Sequence, residues 1–98
     1  MKNEHFEILR KLNKDSSLSQ RDLAKKLGLS LGKVNYCLIA LKEKGLIKIN
    51  NFKNKKNKSS YLYILTPRGI AEKTKITLRF MKQKIHEYDE LQKELKKK

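Results

Sequence analysis

Apolar residues recur every three or four positions through three successive stretches of this chain, then at every second position, and then at helical spacing again to the end. Between Asn3 and about Asn13, Phe6, Leu9 and Leu12 share one helical stripe with Ile8 beside it, which predicts a first helix. In LSQRDLAKKLG, Ser19 and Asp22 have the spacing of a capping box, and Leu18 and Leu23 that of a hydrophobic staple, so a second helix starts there. It stops at Gly28, where a left-handed backbone costs glycine nothing, and Ser30 can cap the next helix after Leu29 alone intervenes. Two helices joined by so short a glycine-containing turn predict a helix-turn-helix.

The third helix, SLGKVNYCLIALKEKG, winds at about 100° per residue. That turns Val34, Cys37, Leu38 and Leu41 inward and Gly32, Asn35, Tyr36 and Ile39 outward, with Lys33 on the flank. LIKIN changes the period to two, with Ile47 and Ile49 on one face and Lys48 on the other, and YLYILT supplies a second strand. Residues 46 to 66 therefore read as a β-hairpin around a long polar loop, a wing. Thr66 as N-cap, Pro67 at the first helical position and Ile70 stapled to Leu65 open a last helix, and no breaker follows as far as Lys98. Such a helix of about 30 residues spans roughly 45 Å. Along it Ala71, Thr74, Leu78, Met81, Ile85, Tyr88, Gln92 and Leu95 alternate spacings of three and four, a coiled-coil seam. Because the helix overshoots the small domain before it, the seam is expected to pair with a second copy instead of folding back. The fold class is mainly α with a small β-wing: a winged helix-turn-helix at residues 1–66, then a dimerisation helix at 67–98.

Charge adds a partner to this outline. Lys and Arg number 25 against 10 Asp and Glu, a net +15, which calls for a polyanion, and double-stranded DNA suits the predicted motif. The second helix of a helix-turn-helix enters the major groove by its N-terminal residues, which is where Ser30, Gly32, Lys33, Asn35 and Tyr36 stand. Lys33 can donate to guanine or phosphate, Asn35 can bond adenine bidentately, and the Tyr36 hydroxyl can reach base or backbone. Gly32 lets the backbone approach the DNA. The wing carries Lys53, Lys55, Lys56 and Lys58, and no acid occurs between Lys44 and Ala71, which suits phosphate contact. Gln20, Arg21 and the amides that open the second helix are further phosphate candidates.

Other chemistry is poorly provided for. The single cysteine, Cys37, points inward as a small hydrophobe, and His5 and His86 lie outside any metal-ligand spacing, so no metal and no cofactor are expected. No carboxylate pair, nucleophile-base set or phosphate-binding glycine loop argues for an enzyme. No apolar run is long enough to cross a membrane, and the N-terminal MKNEHFEILRKL lacks the apolar core of a signal peptide, so the expected location is cytoplasmic.

The stretch LSQRDLAKKLGLSLGKVNYCLIALKEKGLIKINNFKNKKNK, followed by YLYILTPRGIAEKT, resembles winged-helix regulators of the MarR type over residues 18 to 74. Within that type it is most similar to the group described as EPS-associated transcriptional regulators, linked to exopolysaccharide gene clusters; SLGKVNYCL and the NFKN…NK wing go beyond the generic pattern. The resemblance implies a DNA-binding homodimer that regulates transcription through a recognition helix at Ser30 to Lys44. Larger MarR proteins carry an Asp and an Arg in the wing, where this chain has Asn54, Lys55, Lys56 and Lys58. The rival class is a basic winged-helix adaptor that uses the same face on RNA or another protein.

Overall fold

The computed structural model describes residues 3–52 and 60–97. Four helices and one hairpin follow in the expected order: α1 (Asn3–Lys14), α2 (Gln20–Leu27), α3 (Leu31–Glu43), β1 (Ile47–Phe52), β2 (Ser60–Leu65) and α4 (Pro67–Lys96).

Local chemistry sets the ends of these elements. The Ser19 hydroxyl accepts from the Asp22 N–H at 3.0 Å, and Asp22 Oδ2 accepts from the Ser19 N–H at 3.0 Å, which completes the capping box of α2. Those bonds, the one from the Ser19 N–H foremost, hold the Asp22 carboxyl below its usual range. Gly28 closes α2 at φ 66°. At the far end of α3, the Leu46 N–H reaches the Leu41 carbonyl at 3.0 Å and the Gly45 N–H reaches Lys42 at 2.9 Å, the paired bonds of a Schellman stop.

The core gathers one side of every element before α4. Ile8, Leu9 and Leu12 of α1, Leu23 of α2 and Val34, Cys37, Leu38 and Leu41 of α3 are buried together with Leu46, Ile47, Tyr63 and Leu65. β1 and β2 pair antiparallel with Ile47 opposite Leu65 and Ile49 opposite Tyr63, so the inward positions of the two strands coincide. The expected staple at the start of α4 closes little surface, because Ile70 stays 46% exposed.

The joint between the domain and α4 is a close backbone approach. Thr66 caps α4 by accepting from the Gly69 N–H at 3.0 Å, while the same hydroxyl donates to the Gly45 carbonyl at 2.6 Å. The Thr66 N–H donates to the Leu46 carbonyl at 3.0 Å. That carbonyl lies where a side chain on Gly69 would be, since an added Cβ would overlap its oxygen. α4 then leans on α1 through Phe80, whose ring centroid is 5.2 Å from that of Phe6, and through the buried Ile76. From Met81 to Lys96 every residue of α4 is exposed.

Because the clash at Gly69 is with backbone, it cannot be relieved by a rotamer change. Gly69→Ala should cost about 1 to 3 kcal/mol. Chemical denaturation of the two chains side by side measures it, with Gly32→Ala, at a position with open space around it, as the mild comparison.

Candidate nucleic-acid interface

The face of α3 that turns away from the core is built by the same winding that buries Val34 and Leu38. Asn35 is exposed, Tyr36 is 59% exposed and Ile39 47%, while Lys33 sits half-buried on the flank. The Ser30 hydroxyl accepts from the Lys33 N–H at 3.1 Å, so Ser30 starts the helix as its cap and keeps its O–H as a donor. Gly32 leaves the first turn without side-chain bulk, with nothing within 4 Å of an added Cβ. The Lys33 Nζ lies 5.9 Å from the centre of the Tyr36 ring, a cation–π distance that brings the two side chains together on one edge of the face.

α2 contributes at the other edge. Gln20, its first residue, donates from Nε2 to Asn35 Oδ1 at 3.2 Å and to the Tyr63 hydroxyl at 3.3 Å. Gln20 is thus engaged with α3 and β2, whereas Arg21 beside it is exposed. An open groove of about 420 Å³ separates the start of α2 from β2, with Ser19, Gln20, Arg21, Leu31 and Tyr61 among its lining residues. Lys53, Lys55, Lys56 and Lys58 lie outside the described residues.

Sequence reasoning missed Tyr63 as a neighbour of this face. Its inward position was visible in the alternation of YLYIL, but only the fold brings β2 beside the start of α2 and places its hydroxyl against Gln20. The expected seam on α4 is a separate surface. Ala71 and Thr74 are exposed, as are Leu78 at 53%, Met81 at 52%, Ile85 at 57%, Tyr88 at 61% and Leu95 at 80%. The residues of α4 that pack on its own chain, Gly69, Ile76 and Phe80, lie off the seam, and Met81 and Ile85 of the seam line an open groove with Phe6 and Arg10 of α1.

A domain model described as winged helix-turn-helix DNA-binding matches residues 5–48, which takes in α1, the helix-turn-helix and the entry to β1. The fold is a winged helix-turn-helix. Solved structures share it beyond the matched segment. The winged helix and its α4 together superpose on a MarR/EmrR family transcriptional regulator from Acinetobacter sp. ADP1 with a TM-score of 0.68 at 23% identity, over 90% of this chain and 60% of that one. The MepR A103V mutant from a multidrug-resistant S. aureus clinical isolate gives a TM-score of 0.73 at 25% identity, over 99% of this chain and 75% of that one. The adhesin competence repressor (AdcR) from Streptococcus pyogenes gives 0.73 at 20% identity, over 95% and 65%. The chain thus spans about 60% of the length of the Acinetobacter regulator. No curated protein sequence matches it. Among the described residues no helix is long and apolar enough to cross a membrane, and no group of three or more His, Cys, Asp or Glu residues is placed to hold a metal ion.

Adjacent residues of α3 report whether its two sides are divided as described. Leu38→Ala should lower stability by about 2 to 5 kcal/mol. Ile39→Ala, one position on and facing solvent, should stay within about 0.5 kcal/mol. Thermal unfolding of the two variants provides the comparison.

Proposed function

We propose that the chain is a MarR-type transcriptional regulator that binds duplex DNA sequence-specifically as a homodimer. The observation that carries this reading is the outer face of α3. Its first two turns present Lys33, Asn35 and Tyr36 to solvent with no bulk at Gly32, at the end of the helix that a helix-turn-helix inserts into the major groove. Lys33 and Asn35 meet base edges, Tyr36 meets base or backbone, and the exposed Arg21 meets phosphate. Ser30 caps the reading helix and offers its O–H to the backbone. The wing lysines Lys53, Lys55, Lys56 and Lys58 grip phosphate beside the groove. No catalytic chemistry is involved: the protein acts in the cytoplasm by occupying an operator. The match to a DNA-binding domain model and the likeness to regulators of known structure support this class. By the resemblance of residues 18 to 74 to the EPS-associated group, its targets are exopolysaccharide genes.

The homodimer forms through the seam of α4. Ala71, Thr74, Leu78, Met81, Ile85, Tyr88 and Leu95 leave an apolar strip exposed along a 30-residue helix whose residues from Met81 onward are all exposed. An uncovered strip of this kind marks an interaction surface. A two-fold dimer reads an inverted repeat with half-sites about 10 base pairs, or a multiple, apart.

A footprint on duplex DNA with sequence preference separates this reading from that of an RNA- or protein-binding adaptor. Two quantitative outcomes follow from the parts. Replacing Lys53, Lys55 and Lys56 with Ala, if each meets one phosphate, should reduce the slope of log K against log salt by about 2.7, at roughly 0.9 per contact; an unchanged slope takes the wing off the DNA. Charged residues at Leu78 and Ile85 should give a folded monomer by sedimentation that binds the operator far more weakly, while a native chain already monomeric under the same conditions would rule out the seam.

A further inference from the structure

We propose that Gln20 is a positioning residue that decides which base Asn35 reads, a role that rests on the DNA-binding function proposed above. The two residues stand fifteen apart in sequence, and the helix-turn-helix turn brings the start of α2 against the second turn of α3. The Gln20 amide nitrogen has two hydrogens and both have acceptors: Asn35 Oδ1 at 3.2 Å and the Tyr63 hydroxyl at 3.3 Å. Tyr63 is a fixed anchor. It is 4% exposed, paired opposite Ile49 in the hairpin, and its N–H donates to the Ser16 carbonyl at 3.3 Å. Gln20 is therefore held in place from the core side, and in this arrangement its NH2 group faces the Asn35 oxygen.

The consequence lies in the two ends of the Asn35 amide. Oxygen and nitrogen diverge from Cγ, so a bond that turns the oxygen toward α2 turns the NH2 group away from it. An NH2 group only donates. In the major groove it is met by purine N7, guanine O6 or thymine O4, while cytosine offers only its N4 donor and is refused. An Asn35 without this neighbour could turn its oxygen to the adenine N6 amino group and bond that base bidentately. Gln20, which the basic surroundings suggest as a phosphate contact, instead acts on specificity, and Tyr63 links that specificity to the wing strand.

Selection of duplex DNA from a random pool tests this with the native chain, Asn35→Ala, Gln20→Ala and Gln20→Glu. Asn35→Ala locates the symmetric pair of positions by flattening preference there. At those positions the native chain should reject cytosine by about five-fold or more. Gln20→Ala should shift the same positions toward adenine, which a freed Asn35 bonds bidentately, and leave the salt slope unchanged, since no phosphate contact is lost. In Gln20→Glu the new carboxylate accepts from Tyr63 and can be met only by the NH2 of Asn35. The amide then reverses, and cytosine or adenine should become favoured at those positions whatever the overall loss of affinity. Thermal midpoints of the variants, together with unchanged preference at other operator positions, show that the fold is intact. A Gln20→Ala chain that keeps the native preference, or a native chain that already selects cytosine there, overturns the positioning role and leaves DNA recognition standing. A native chain with no sequence preference at all overturns both.

Discussion

Burial of Val34, Cys37, Leu38 and Leu41 along one side of α3 is the constraint from which the other surfaces follow. A helix has only so much circumference, and committing one stripe to the core fixes what the opposite stripe shows to solvent. On α3 that opposite stripe is Gly32, Asn35, Tyr36 and Ile39, and its polar members are short or planar groups suited to hydrogen bonding at a surface. The caps make the arrangement definite. Ser30 sets where the helix begins, and the Schellman bonds of Gly45 and Leu46 set where it stops, so the exposed residues are held at fixed angles relative to α2.

The end of α3 is also where α4 is attached. Thr66 uses one hydroxyl to cap α4 and to bond the Gly45 carbonyl, and Gly69 lets the helix pass against Leu46. With Phe80 on Phe6 as a second point of support, the direction of α4 relative to α3 is set by backbone contacts near the pivot and by aromatic packing further along. In a two-fold dimer built on α4, that direction would convert the geometry of one chain into the separation of two recognition helices. Spacing of half-sites and stability of the joint are then linked through the same few residues.

The distribution of apolar surface separates two tasks. The core of the winged helix takes the buried side of each of its elements, and the distal half of α4 keeps Met81, Ile85, Tyr88, Leu91 and Leu95 exposed. A domain of this size has little more to bury against itself. A net charge of +15 opposes the approach of two such chains, so an association along the seam has to place the basic surfaces apart. The seam lies on a helix that projects from the domain, and the molecule reaches 65 Å along its longest axis.

The elements themselves were determined by sequence, because each carries its own local physics. The capping box at Ser19 and Asp22, the glycine stop at Gly28, the change of period at Ile47 and Ile49 and the Thr66-Pro67 start of α4 depend on residues within a turn or two of one another. The exposed side of α3 was legible for the same reason: helical winding is a local property, and the apolar stripe showed which way was in. Tertiary structure alone decided what crosses between elements. Gln20 meets Asn35 and Tyr63 because three elements converge there, and a charge-based reading of Gln20 had no access to that convergence. The need for glycine at position 69 was equally hidden, since the atom it must avoid belongs to Leu46, on the other side of the hairpin. The exposure of the α4 seam was decided the same way: its spacing was written in the sequence, but which side of the helix met α1 depended on where Phe80 and Ile76 found their partners. Contacts of this kind are set by distances through space, and a chain of residue types records distances only along itself.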